Sequence, residues 1–314
     1  MSKSILTLTV NPALDRIVTV DRLVFEDRAY IESTTEAAGG RGINAARVLT
    51  SFGANTVAIT TSGREIGRKF EEYLQEDTFA KEIVKIRNGI RTNLTISDRQ
   101  GLSIKLNELG PALSQIEQTR VLKATEKLLP QASWLLLCGS QPPGMDPHFY
   151  TKLIKLATKH KVDTLLDTDG DPLLHGLEAG PAIVKPNQSE AERLLNTALI
   201  TRKQLIDAVQ RIKMLGAKSV VLSLGGRGLI AATSSEGILE VLPPPIDAVC
   251  PIGAGDAMSA AIVWSLDRGD SFGDALRWGV AAGTASAKLP GITLANLEQT
   301  KEIYPQTQIT RVVT

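Results

Sequence analysis

The sequence predicts an α/β fold with a mostly parallel central sheet and a small accessory sheet. Three observations predict it. Short β-branched or Leu-rich runs alternate with helical patterns along most of the chain, as βαβ units do. The runs near residues 135, 165, 183 and 221 are apolar without alternation, which marks strands covered on both faces. Two segments, 16–35 and 88–109, break this rhythm with polar-rich alternating strands and no helix between them.

In chain order, the core strands are expected at Ile5–Val10, Thr56–Thr61, Trp134–Cys138, Asp163–Asp167, Ala182–Val184 and Ser219–Leu224. Helical patterns lie between them at Gly42–Phe52, Gly67–Leu74, Gln115–Leu129, Pro147–His160, Glu190–Asn196 and Thr201–Leu215. Two more follow at Ala254–Asp267 and Phe272–Leu289. The two irregular segments carry turn signals at Asn88-Gly89 and Arg99-Gln100-Gly101. They read as an accessory sheet built from two insertions, with one face left for a ligand or another subunit.

At 314 residues the chain is long enough for one large α/β domain. Hydrophobic content of 43% and charged content of 22% are those of a water-soluble globular protein. A net charge of +1, with scattered basic residues, argues against nucleic-acid and membrane partners. Cys138 and Cys250 lack metal-like spacing and read as small buried hydrophobes. His148, His160 and His175 have neither metal spacing nor a nucleophile partner and read as packing or surface residues. With no signal-like leader and no membrane-length apolar run, the expected location is the cytoplasm.

Chemistry is concentrated in glycine-rich turns at strand and helix ends. Gly253-Ala254-Gly255-Asp256 opens directly into an amphipathic helix. Glycines let N–H groups converge where the first turn leaves donors unpaired and the dipole favours anions. Asp256 adds a base beside that cradle, which suits attack by a hydroxyl on a terminal phosphate; the plainer alternative is an acid complementing the helix dipole. Gly39-Gly40-Arg41-Gly42-Ile43-Asn44 is a second such opening, where a ligand can approach the backbone and Asn44 offers a donor and an acceptor. Its Gly40-x-Gly42-x-x-Ala45 string also fits a dinucleotide fingerprint, giving a rival reading as an NAD-dependent oxidoreductase. A non-catalytic nucleotide-binding protein is a third class.

Asn11-Pro12-Ala13-Leu14-Asp15 ends the first strand, so Asp15 is placed to accept bonds from sugar hydroxyls; an Asx turn explains it equally. After another apolar strand, Asn187 and Glu190 stand three apart at a helix start, either as oxygen ligands for hydrated Mg²⁺ or as a capping pair. Asp167 is a further strand-end carboxylate for the metal shell. Ser223-Leu224-Gly225-Gly226-Arg227-Gly228 reads as a hairpin turn or a nucleotide-facing loop. No Gly-x-x-x-x-Gly-Lys-Ser/Thr string is present, which excludes a P-loop.

Together these motifs, in order and spacing, resemble the ribokinase-like sugar kinases, specifically their phosphofructokinase-B branch. Cys138-Gly139-Ser140-Gln141-Pro142-Pro143-Gly144 and Leu242-Pro243-Pro244-Pro245 are similar to the subgroup acting on ketohexose phosphates. The resemblance implies one kinase domain over 1–314, a three-layer α/β/α sandwich with a β-sheet lid formed by about 12–35 and 88–110. It implies ATP-dependent transfer to a ketohexose monophosphate, with fructose 1-phosphate preferred over tagatose 6-phosphate and fructose 6-phosphate. Asp256 would be the base, and Gly253, Ala254 and Gly255 the anion hole. Asp15, Gly39, Gly40 and Asn44 would grip the sugar, with Arg91, Arg28 and Lys105 available to its phosphate. Lys185, Asn187, Ser223, Gly225 and Gly228 would line the nucleotide site. Asn187, Glu190 and Asp167 would organise Mg²⁺, and a monovalent cation such as K⁺ is implied nearby. The lid would close over the sugar and build a homodimer. The chain departs from the family pattern at Tyr30, where a basic lid residue is common, and at Cys250-Pro251, where polar residues are.

Overall fold

The structure is a computed structural model describing residues 3–24, 26–100 and 102–312. Its strands are β1 (Ser4–Thr9), β2 (Ala13–Val20), β3 (Ile31–Gly39), β4 (Thr56–Ser62), β5 (Ala80–Lys85), β6 (Arg91–Asp98) and β7 (Ser103–Asn107). They continue as β8 (Ala132–Cys138), β9 (Asp163–Asp167), β10 (Ile183–Val184), β11 (Ser219–Ser223), β12 (Leu229–Ala232), β13 (Ile238–Leu242) and β14 (Gln308–Val312). The helices are α1 (Arg41–Ser51), α2 (Arg64–Leu74), α3 (Gln115–Leu128), α4 (Phe149–Lys159) and α5 (Gly170–Leu177). After them come α6 (Gln188–Leu195), α7 (Arg202–Met214), α8 (Ala254–Asp267), α9 (Phe272–Ala287) and α10 (Leu297–Ile303).

Ten strands form the central sheet in the order β14-β13-β12-β11-β10-β9-β8-β1-β4-β5. Pairing is parallel from β11 to β5, and antiparallel from β11 out to β14. The apolar runs are explained by what covers them. Along β8, Leu135 and Leu137 point into a core shared with α3, α4 and α7, while Trp134, Leu136 and Cys138 point into a core shared with α1, α8 and α9. A strand covered on both faces has no polar side to show. This is the three-layer sandwich that the resemblance implies, and no helix among the described residues is long and apolar enough to cross a membrane.

Helix α8 is buried along almost its whole length and is fixed against α1. The Trp264 indole N–H donates to the Phe52 carbonyl at 3.1 Å, and the two rings meet edge to face at 5.2 Å. Helix α1 in turn lies close on β1 because Gly42 faces that strand: a Cβ there would stand 2.9 Å from the Leu8 carbonyl.

The second sheet has the order β3-β2-β6-β7, with β2 and β6 parallel and both outer pairs antiparallel. It is the accessory lid, but it reaches to Gly39 rather than stopping near residue 35. Asp15 therefore belongs to lid strand β2 and not, as expected, to the end of β1, which closes at Thr9. The Arg99–Gln100 turn joins β6 and β7, and Gly101 lies outside the described residues. Sequence periodicity also left out the short α5, whose first turn holds Gly170 and Pro172, and the edge strands β5 and β14.

Candidate active site

The parallel strands end in one crevice, and the turns singled out in the sequence converge there. Gly253 caps α8 in the left-handed region (φ 78°), a conformation side chains rarely adopt; a Cβ would also meet Leu294 at 2.6 Å. It turns the chain so that the first α8 residues face the crevice. One anion-hole donor is differently placed: the Ala254 N–H is directed to the Pro251 carbonyl at 3.3 Å. Gly253 and Gly255 carry the remaining N–H groups of this turn.

Asp256 follows in the first turn of α8 and is buried. Asn44, from the first turns of α1, donates its side-chain amide to Asp256 Oδ2 at 2.8 Å. The residue expected to grip the sugar thus also holds the expected base. Burial pushes the Asp256 carboxyl up to about 7, and the neighbouring Asp167 carboxylate adds to the rise. The Asn44 hydrogen bond and the Arg41 and Lys185 cations oppose it. A carboxyl that titrates near neutral pH is suited to accepting a hydroxyl proton.

Beneath Asp256 lies a buried ionic cluster. Asp167 accepts from Arg41 at 2.9 Å, Lys185 at 2.9 Å and the Ser259 hydroxyl at 3.0 Å. Burial alone would raise Asp167, but Lys185 and Arg41 outweigh it and hold the carboxyl below its usual range. Arg41 also reaches Glu190 at 3.3 Å. Sequence reasoning named Arg41 only as part of a glycine string; its role comes from contacts 126 and 149 residues away.

These contacts give the residues expected around Mg²⁺ structural partners as well. Asn187 and Glu190 form a reciprocal capping box on α6: Asn187 Oδ1 accepts the Glu190 N–H at 2.9 Å, and Glu190 Oε2 accepts the Asn187 N–H at 2.9 Å. With Glu190 also paired to Arg41 and Asp167 held by two cations, every oxygen of these two carboxylates already accepts from the protein. Among the described residues no three His, Cys, Asp or Glu side chains are grouped to hold a metal. The donor set fits a hydrated divalent ion arriving on a ligand's phosphates, not a protein cage.

Arg41, Asn187, Glu190, Ser223 and Gly225 line a cleft of about 530 Å³, together with Asp169. Two expected members of this nucleotide-facing set are elsewhere. Lys185 is buried on Asp167, under Gly255. Gly228 (φ 81°) serves the β11–β12 hairpin, since a Cβ there would run into the Val241 carbonyl.

On the lid side, parallel register sets Asp15 beside Asn93 and Ala13 beside Arg91. Asn93 Nδ2 donates to Asp15 Oδ1 at 2.8 Å. Burial raises the Asp15 carboxyl, against the Asn93 hydrogen bond and the Arg91 and Arg47 cations. Gly39 lies where a Cβ would overlap the Asp15 carboxylate, and Gly40 (φ 131°) begins α1. Arg91 gives one N–H to the Glu108 carbonyl at 3.1 Å, and its Nε is shielded without a partner. Asn11 Oδ1, Asn93 Oδ1 and Gln141 Nε2 are likewise shielded and unpartnered. Such polar atoms carry a desolvation cost that a polar ligand relieves. Asn93 was not foreseen, because only strand register sets it beside Asp15, and Asn11 and Gln141 were named only within motif strings. Arg28 and Lys105 stay exposed on the lid, and neither has an ion-pair partner among the described residues.

The dinucleotide reading fails on this geometry. The Gly40–Gly42 turn follows lid strand β3, not a core strand, and its glycines let the start of α1 lie close against Leu8 and Thr9 of β1.

Known proteins resemble this chain over almost its whole length. Residues 9–299 match the model of the pfkB family carbohydrate kinases. The chain is 31% identical over 303 residues to ATP-dependent 6-phosphofructokinase isozyme 2 of Escherichia coli, covering 96% of this chain and 97% of that protein. It is 29% identical over 310 residues to 1-phosphofructokinase of Borreliella burgdorferi, covering 99% of each. Phosphofructokinase-2 from Escherichia coli in complex with potassium superposes with a TM-score of 0.91 at 30% identity, covering 97% of this chain and 99% of that one. The match runs along almost the whole chain, and the chain belongs to the pfkB family of carbohydrate kinases.

Proposed function

We propose that this protein transfers the γ-phosphoryl group of ATP to a hydroxyl of a ketohexose monophosphate, giving the 1,6-bisphosphate. The observation that carries the reading is the Asn44–Asp256 bond at the mouth of the Gly253–Gly255 turn, which joins a base to an anion-binding helix start. Asp256 takes the hydroxyl proton. The Gly253 and Gly255 N–H groups face the charge that develops on the transferring group. Asp15 and Asn44 accept and donate to the sugar, and Arg91 matches its phosphate with a planar fork of donors. The lid excludes water from the closed crevice. Mg²⁺ carried by the nucleotide supplies charge neutralisation of its phosphates when bound.

Fructose 1-phosphate is our first choice of acceptor, in line with the 1-phosphofructokinase relative. Fructose 6-phosphate is the second reading, favoured by the 31% identity to a 6-phosphofructokinase isozyme. Tagatose 6-phosphate completes the set. An ADP-release assay across these three and the unphosphorylated sugars separates them: the reading requires turnover of at least one phosphate well above the free sugars. ATP binding with no transfer to any of them would leave a non-catalytic nucleotide-binding protein instead.

We also infer a homodimer through the lid, and a K⁺ requirement near the Cys250–Gly253 turn. The dimer reading is supported by apolar exposure on the lid: Tyr30, Ile31, Leu102 and Leu106 are each more than half exposed. Leu106→Glu should convert a dimer to a monomer in light scattering. The potassium-bound relative supports the second reading, which requires kcat/KM to fall when K⁺ is replaced by a large organic cation.

A further inference from the structure

Asn11 stands where the chain leaves β1 for lid strand β2, and it is only 4% exposed. Its side-chain amide reaches two distant segments. Nδ2 donates to the Leu109 carbonyl at 3.0 Å, on the stretch by which the chain leaves the lid after β7. The same nitrogen donates to Ser140 Oγ at 3.4 Å, in the loop after β8. Oδ1 lies against Gly110 (φ 91°), where a Cβ would stand 2.2 Å from it, and among the described residues it has no donor. A buried acceptor without a donor is costly, and an apolar side chain of similar shape would escape that cost. What the amide adds is its own donor, which ties the lid to the core. Each tied segment holds a shielded donor as well. Arg91 gives an N–H to the Glu108 carbonyl, one residue before Leu109, and its Nε is unpartnered. Gln141 follows Ser140, and its Nε2 is unpartnered too.

We infer that Asn11 is a positioning residue of the acceptor site. It fixes the spacing between segment 108–110, on which Arg91 rests, and the loop holding Ser140 and Gln141, so that Arg91 Nε and Gln141 Nε2 are presented together to the acceptor's phosphate. Donors on two separate elements grip one group only while their separation is held, and a misplacement of about 1 Å is enough to lose much of the effect. Asn11 itself acts through Arg91 and the loop, by way of the Leu109 carbonyl and the Ser140 hydroxyl. This inference rests on the acceptor being a sugar phosphate gripped by Arg91.

The test is a double-mutant cycle on the full chain, with kcat and KM read for the preferred ketohexose phosphate and for ATP. Asn11→Leu keeps an approximately similar volume and removes the donor. It should raise KM for the sugar phosphate about fivefold or more, with kcat and KM for ATP within about a factor of two. In the Arg91→Ala background the same change should raise that KM less than about twofold, because the group through which Asn11 acts is already gone. Asn11→Ala, smaller and equally without a donor, should behave alike and serves where the leucine variant does not fold; nucleotide titration and equal thermal melts establish folding. An unchanged KM, additive losses in the cycle, or a KM for ATP that rises as much as that for the sugar phosphate overturns the role of Asn11 alone. A wild-type protein that turns over free ketohexoses as well as their phosphates overturns the acceptor reading and this inference with it.

Discussion

Asn44 and Asp256 lie 212 residues apart in sequence and are joined by one hydrogen bond of 2.8 Å. That bond ties the start of α1 to the start of α8, and it favours the ionised form of a carboxyl that burial would keep protonated. Replacing Asn44 by Leu removes the amide while keeping an approximately similar volume. The acid limb of the kcat/KM profile, expected near pH 7 in the wild type, should move upward. Sugar-phosphate KM should rise as well. An unmoved limb would separate Asn44 from the titration of Asp256.

The same carboxyl makes a stability prediction whose sign follows from linkage. The folded-state pKa of Asp256 is raised from 3.8 to about 7, so between these values the folded chain binds more protons than the unfolded one. Its contribution to stability is present at low pH and is lost as pH rises toward 7. Asp256→Asn carries no such loss. The variant's advantage over wild type should therefore be greater at pH 8 than at pH 5, by on the order of a few kcal/mol. Denaturant melts at the two pH values measure it.

Arg91 is positioned by register beside Ala13, with burial and Arg41 lowering its pKa and Asp15 opposing them. An arginine held with an unpartnered Nε is ready for an anion. Arg91→Ala should raise KM for the sugar phosphate at least tenfold, about 1.4 kcal/mol, with KM for ATP within a factor of two or so. Equal effects on both substrates would place the side chain in the fold and not in acceptor recognition.

Gly39 tests the other half of the acceptor site. A methyl group there would overlap the Asp15 carboxylate, which Asn93 holds at 2.8 Å. Gly39→Ala should displace Asp15 and weaken sugar-phosphate binding, while nucleotide binding, read by equilibrium titration, stays near wild type. A variant with unchanged sugar-phosphate affinity would remove Asp15 from that site.

Much of this architecture was legible because local signals and tertiary structure agree. The helix Ala254–Asp267 was readable to the residue, since Gly253 stops the preceding loop and the apolar pattern runs unbroken to Asp267. The core strands were readable because being covered on two faces leaves uninterrupted apolar runs. What was not legible depends on register and on distant partners. Asn187 and Glu190 have one spacing that serves both a metal and a capping box, and only the bonds they make reveal the capping box. Asp15 looked like the end of β1 because Pro12 hides the start of a new strand in the other sheet. Asn93 carries no motif, and its importance arises only from pairing with β2. Helix α5 was hidden by Gly170 and Pro172 in its first turn.

The most direct measurement is the single-turnover rate of phosphoryl transfer to the preferred ketohexose phosphate, taken from pH 5 to 9 in wild type and Asp256→Asn. Wild type should rise about tenfold per pH unit and level off near pH 7. The variant should be slower by roughly 10²–10⁴ and show no such limb. A variant that transfers phosphate at the wild-type rate, with the wild-type pH profile, would contradict the assignment of Asp256 as the base.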